Sequence, residues 1–152
     1  MLERILHFRY RKAILARLSG QHPNLPLPSG GRTHHLFVKS MFMAMGKLAK
    51  MDGRVTAEEI KYASSIIKLL QLSNHERENA IAYFDQGKKR TSEPAEFIEE
   101  LAYLIGKGSS LARLFLQIQC RHALAKGRLL LKEKVLLRDL AEILGFKKSQ
   151  FI

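Results

Sequence analysis

Apolar residues recur at intervals of three and four along most of the chain, which is the spacing of amphipathic helices. The clearest such stretch covers residues 35–71 and breaks once, just after residue 50. Gly53 can take the left-handed conformation that closes a helix, and Thr56 with Glu59 forms a capping box that opens the next one. The pattern therefore predicts two helices that meet at a tight corner.

This corner recurs seventy-four residues further along the chain. Gly53 and Glu59 then fall on Gly127 and Glu133, and the small and apolar residues around them also find matching types. A glycine at a helical corner is common, but chance is the weaker explanation for the joint match. The sequence predicts two related helix–corner–helix units, whose structural corner residues are Gly53, Thr56, Glu59 and Gly127.

The rest of the chain also follows the helical period. Ser73 with Glu76 forms another capping box, and the segment 110–125 is apolar nearly all round, which is typical of a buried helix. The same spacing places Ile60 and Ile81 on inward faces. We expect an all-α fold of about seven helices, with the two related units around the central hydrophobic helix. The expected helices cover about 2–18, 35–51, 56–71, 73–84, 94–105, 110–125 and 131–144.

Proline and glycine divide the chain into three parts. Residues 1–18 are predicted to form a basic amphipathic helix, and residues 35–152 a helical domain. Between them, residues 19–34 contain three prolines and three glycines, a composition typical of a linker.

Positive charge is the strongest compositional signal. The chain has 26 Lys and Arg against 14 Asp and Glu, which gives a formal net charge of +12. Such a bias favours anionic partners: lipid headgroups, nucleic acid or an acidic protein face. In the first helix, the candidates for contact with an anionic membrane or partner are Arg4, Arg9, Arg11, Lys12 and Arg17. The alternative, that this helix packs on the domain with its charges solvated, stays open.

Two stretches resemble a known family. Residues 42–56 read FMAMGKLAKMDGRVT, and residues 113–119 read RLFLQIQ. Both resemble landmarks of the TerB-like domain of membrane-anchored J-domain co-chaperones of the DjlA type, and the likeness covers about residues 35–152. The family's membrane-spanning segment and J domain are not recognisable here, and no apolar run approaches the ~20 residues that a spanning helix needs.

The resemblance implies a TerB-like bundle with a non-enzymatic role in protein–protein interaction. It also implies partners in the Hsp70 co-chaperone system. The expected place is the cytoplasm, with peripheral attachment to the inner membrane as a hypothesis. A basic nucleic-acid-binding helical protein and a tellurite-resistance-type TerB protein with an acidic metal site are the alternatives. The identity of the partner and the oligomeric state are not predicted.

The resemblance also points to candidate metal ligands at the corners. Asp52 and Glu59 match acidic residues of the family, but Lys126 stands where the second corner would supply an aspartate. Lys132 likewise stands where the first corner has a glutamate. A cation repels a metal ion, and hard cations need several oxygen ligands. We therefore predict no metal site and no cofactor, and assign Asp52 and Glu59 to capping and local pairing.

Residues suited to catalysis are scarce. Cys120 and His122 are two positions apart on a helix, so their side chains do not face each other. We expect a buried cysteine and a hydrogen-bonded histidine. The sequence has no phosphate-binding glycine loop or serine elbow, and we predict that the protein is not an enzyme.

Glycine positions lead to a prediction about stability. We expect Gly53→Val to destabilise the domain far more than Gly87→Val. The sequence places Gly53 in a corner that sets the core, and Gly87 at a charged surface loop.

Overall fold

The computed structural model of the chain describes residues 2–19, 31–51 and 53–147, with side chains from residue 10 onward. These residues form seven helices and no strand, so the predicted all-α fold is confirmed. The helices are α1 (Leu2–Ser19), α2 (Arg32–Lys50), α3 (Ala57–Leu70), α4 (Asn74–Gly87), α5 (Ala95–Ile105), α6 (Ser110–Leu124) and α7 (Leu131–Ile143).

The helix bounds follow the prediction with two differences. α2 begins at Arg32, so residues 32–34 of the expected linker are helical. α4 continues to Gly87, about one turn past the expected end. The remainder of the expected linker, residues 20–30, lies outside the described residues.

Two helices share the centre of the fold. α6 has eight of its 15 residues buried, as its apolar sequence predicts, and α2 has fourteen of 19. α2 packs against α3, α4, α5 and α6. Phe37 of α2 meets Phe115 of α6 edge to face, with ring centroids 5.8 Å apart. The amide of Gln119 donates to the Met41 carbonyl oxygen at 3.1 Å, which satisfies a polar group in this apolar layer.

The crossing of α2 and α4 depends on two glycines. A Cβ atom at Gly46 would lie 2.0 Å from the Phe84 carbonyl oxygen, and one at Gly87 would lie 2.1 Å from the Met43 carbonyl oxygen. Each backbone therefore occupies the space that a side chain on the other helix would need. The expectation that Gly87 lies in a surface loop is wrong, because it is a buried residue of this crossing.

The second half of α1 is part of the packed structure. α1 lies against α3, α5 and α6, and Tyr10 and Ile14 are buried in the main core. Arg11 donates to the Ile105 carbonyl oxygen at 3.1 Å, and Arg17 to the Leu70 carbonyl oxygen at 2.8 Å. These two cations thus satisfy carbonyl groups at the C-terminal ends of α5 and α3. No helix within the described ranges is long and apolar enough to cross a membrane.

Candidate functional site

The two corners have the same backbone form. Gly53 has φ 87° and Gly127 has φ 101°, a region that favours glycine. The amide of Gly53 donates to the Lys50 carbonyl oxygen at 2.8 Å, and that of Gly127 to the Leu124 carbonyl oxygen at 2.9 Å. The geometry agrees with the repeat that the sequence predicts.

Each corner is followed by a buried glutamate at the start of a helix. Glu59 accepts from the Thr56 amide at 3.1 Å, while the Thr56 hydroxyl accepts from the Glu59 amide at 3.2 Å. Glu133 accepts from the Leu130 amide at 3.0 Å, but the leucine side chain has no oxygen to accept from the Glu133 amide in return. The second corner therefore has half of a capping box.

A buried ion pair forms at the second glutamate, through the same carboxylate oxygen that accepts from the Leu130 amide. Lys126 donates to Glu133 at 2.5 Å, and their side chains are 4% and 0% exposed. Lys126, which we predicted to oppose a metal ion, thus neutralises a buried carboxylate. Asp52 lies outside the described residues, and no group of three or more His, Cys, Asp or Glu in the described part is placed to hold a metal ion.

His122 lies beside this pair and is fully buried. Its ring is 6.0 Å from that of Tyr62 and 5.9 Å from that of Phe84. Burial lowers the pKa of His122 to about 4; the backbone of Glu59 opposes that shift and the charge of Lys126 adds to it. The imidazole is therefore neutral at pH 7. The backbone of Glu59 is the polar group that approaches its ring, although no hydrogen bond of ordinary geometry forms at either ring nitrogen among the described residues.

Cys120 has none of the activation that a nucleophile needs. It is half-buried, and burial raises the pKa of its thiol. A thiol with a raised pKa stays protonated at pH 7, and the thiolate is the reactive form.

Three helices are joined by a chain of polar side chains that sequence reasoning missed. The Tyr10 hydroxyl lies 2.9 Å from His34 Nδ1, and His34 Nε2 lies 2.5 Å from a Glu76 oxygen. Burial raises the pKa of Tyr10 well above its ordinary value, so the phenol stays protonated at pH 7. Tyr10 is 4% exposed and His34 is 8% exposed. We interpret the chain as a structural link from α1 through α2 to α4.

An apolar groove lies between α3 and α4. Its lining includes the buried residues Phe42, Ala63 and Ala80, and its volume is about 220 Å³. Ile60 and Ile81, which we expected to point into the core, are 53% and 52% exposed and belong to this lining. The expectation that these two isoleucines point into the core was wrong, because they line an open groove instead.

A set of cations adjoins the groove, and we call it the basic cluster. It lines a depression of about 400 Å³ together with Met51, and consists of Lys47, Lys50, Lys88, Lys89 and Arg90. Among the described residues no carboxylate lines this depression, and Lys88 also lines the apolar groove. The groove and the basic cluster therefore form one continuous surface.

The corners, the helical core and the matching sequence define a TerB-type module. The chain belongs to the TerB family, because the family described as tellurite resistance protein TerB matches residues 39–152.

The curated relatives are co-chaperones. The chain is 37% identical over 116 residues to co-chaperone protein DjlA of Mannheimia succiniciproducens, which covers 76% of this chain and 40% of that protein. It is 35% identical to DjlA of Haemophilus influenzae with the same coverage. For DjlA of Vibrio vulnificus the identity is 32% over 123 residues, or 81% and 43% of the two chains. The chain thus spans about two fifths of the length of these relatives. No solved structure gives a significant match.

Proposed function

We propose that this TerB-type module acts as a non-enzymatic docking unit for a protein partner in an Hsp70 co-chaperone system. The observation that carries the proposal is the pair of half-exposed isoleucines, Ile60 and Ile81, on neighbouring helices of a well-packed domain. Apolar surface that stays exposed beside polar residues marks an interaction site. The DjlA relatives supply the chaperone context.

The buried polar groups support a structural role for the rest of the molecule. Glu59 and Glu133 cap helices, Lys126 pairs with Glu133, and His34 links Tyr10 to Glu76. Each of these groups is explained by packing or by a helix end. None needs a substrate to account for its position.

The basic surface also fits the alternative of nucleic-acid binding, and one measurement separates the two. The logarithm of the binding constant for phosphates falls steeply and linearly with the logarithm of the salt concentration, because binding releases counterions. Apolar docking persists at high salt. We therefore expect the full chain to bind an oligonucleotide weakly, with an affinity that vanishes near physiological ionic strength.

The proposal itself is tested with the full chain and purified Hsp70 and J-domain proteins from the same cell. We expect saturable binding to one of them by calorimetry at physiological salt, after nuclease treatment of both samples. A protein of equal charge and unrelated helical fold serves as the control. Equal binding by that control, or signals that disappear with nuclease, would overturn the proposal.

A further inference from the structure

The groove between α3 and α4 is suited to apolar side chains of a bound helix. Its base is closed by Phe42 and Ala80, which are almost fully buried, and its sides carry Ile60 from α3 and Ile81 from α4. Amphipathic helices bind such grooves through apolar side chains one turn apart. The groove is therefore an apolar surface whose two outer residues, Ile60 and Ile81, are half exposed in the chain alone.

The basic cluster at the end of the groove carries more positive charge than the described residues around it neutralise. Lys47 and Lys50 donate to the carbonyl oxygens of Ser92 and Gly53 at 2.7 and 3.2 Å, contacts that leave their charge in place. Lys88 pairs with Asp85 at 2.9 Å.

The two remaining members of the basic cluster have no side-chain partner among the described residues. The side chains of Lys89 and Arg90 are exposed and make no ion pair or hydrogen bond with the described residues. Among the described side chains, a ligand that approaches the cluster thus meets five cations and the carboxylate of Asp85.

We propose that this surface binds an acidic amphipathic helix of a partner protein. Its apolar side chains fill the space between Ile60 and Ile81, and its carboxylates lie against Lys88, Lys89 and Arg90. The inference rests on the proposed function and names the surface and the chemistry of its partner. Opposite charge at one end of an apolar groove fixes the orientation of the bound helix and selects against basic partners.

Charge also argues against other possible occupants of the groove, namely a segment of this chain or a second copy of it. Residues 20–30 and 148–152 of this chain contain no acidic residue, so neither segment complements the cluster. A second copy of a chain with net charge +12 is repelled by the same surface. Nucleic acid would complement the charge, but the groove presents isoleucines where strand binding uses exposed aromatic rings for stacking.

The test places a photoreactive p-benzoylphenylalanine at position 81 of the full chain. The matched control positions are Tyr103 on α5 and Leu131 on α7, which are 81% and 73% exposed. After irradiation in native lysate, the crosslinked segment is sequenced by mass spectrometry. We expect segments with apolar residues at helical spacing and several Asp or Glu at one end.

The captured segment is then synthesised, and its binding to the unmodified chain is measured by fluorescence anisotropy. We expect Ile60→Ser/Ile81→Ser and Lys89→Glu/Arg90→Glu each to weaken binding about tenfold or more. The control variants Leu131→Ser and Lys107→Glu/Lys132→Glu change exposed residues that line neither the groove nor the cluster. They should bind as the wild type does.

Several outcomes would overturn the inference. These are crosslinks from position 81 to a second copy, to nucleic acid or to lipid, captured segments without acidic residues, or binding that tolerates charge reversal. Crosslinks at positions 103 or 131 but not at 81 would contradict this surface while leaving the docking role intact. Adducts at none of the three positions would contradict the proposed function itself.

Discussion

Single residues set the closest packing in this fold, at the crossing of α2 and α4. A methyl group at Gly87 would lie 2.1 Å from a backbone oxygen of Met43, which cannot rotate away. We expect Gly87→Ala to destabilise the domain by about 3 kcal/mol, at the upper end of the range for overpacking. At Gly53 nothing lies within 4 Å, so Gly53→Ala costs only the left-handed backbone, about 1–2 kcal/mol. This order reverses the one expected from the sequence.

Denaturant midpoints of the two variants check the order. Gly31, the N-cap of α2, has no neighbour within 4 Å and no positive φ, so the control Gly31→Ala should lose no more than the cost of a poorer cap, about 1 kcal/mol or less. A larger loss for Gly53→Ala than for Gly87→Ala would contradict the interpretation of the crossing.

Lys126 supplies the counter-charge for the buried carboxylate of Glu133 at the second corner. Lys126→Met removes the partner of Glu133 and leaves a carboxylate unpaired at 0% exposure. Loss of one member of a buried pair typically costs about 3–5 kcal/mol. We expect chemical denaturation to show a loss of this order. The double variant Lys126→Met/Glu133→Gln should recover much of it, because glutamine can still cap Leu130 without a charge. A double variant no more stable than the single one would show that the pair is not the cause.

At the scale of helices, α1 raises the question of membrane contact. Arg11 and Arg17 bond to the ends of α5 and α3, so Lys12 is the described cation of α1 that stays exposed to a lipid surface. The side chains of Arg4 and Arg9, the other candidates from the sequence, lie outside the described part. We propose that this first part of α1 docks on anionic membrane. The contribution is at most about 1 kcal/mol per cation and is screened by salt.

Liposome co-sedimentation measures this docking. We expect the full chain to bind phosphatidylglycerol vesicles better than neutral ones, and Arg4→Gln/Arg9→Gln/Lys12→Gln to lose that preference. The matched control Lys61→Gln/Lys68→Gln/Lys132→Gln removes the same charge from exposed positions on α3 and α7. Equal losses in both triple variants would mean that net charge, and not α1, drives the binding. Deleting α1 is unsuitable as a control, because Tyr10 and Ile14 belong to the core.

The helices could be predicted from the sequence because their signals are local. Capping residues such as Thr56 and Ser73 act within one turn of the helix that they start. The contacts between helices could not be predicted, since they join distant residues: Tyr10 meets His34 across 24 positions and His34 meets Glu76 across 42. In the sequence Gly87 looks like a glycine that only ends a helix. Its close contact with the backbone of Met43 is visible only in the folded structure.

The groove escaped prediction for a related reason. Periodicity shows that Ile60 and Ile81 share a face with core residues, but it does not show whether a neighbouring helix covers that face. Their half exposure follows from how far apart α3 and α4 lie. Only the assembled helices reveal it.

Across the whole molecule, ionic groups divide into two sets with different consequences. The exposed cations give the surface its charge, while the buried cluster at the corners holds Glu59, His122, Lys126 and Glu133 between α3, α6 and α7. Surface charge responds to salt, because ions screen it. In the buried set, His122 couples the fold to pH instead, because burial lowers the pKa of its imidazole.

His122 makes the stability of the whole domain depend on pH. Its pKa is about 4 when folded against an ordinary 6.5, so between these values the unfolded chain binds a proton that the folded chain excludes. Stability is therefore complete above about pH 6.5 and falls as the pH drops to about 4, by up to roughly 3 kcal/mol. Urea unfolding at a series of pH values measures this slope. His122→Phe should flatten it, whereas His75→Gln, at an exposed position, should leave it unchanged. An equal slope between pH 6.5 and 4 in His122→Phe would assign the acid sensitivity to other groups. Glu76, whose pKa is lowered because its hydrogen bonds outweigh its burial, affects stability only at lower pH, below about its ordinary pKa of 4.5.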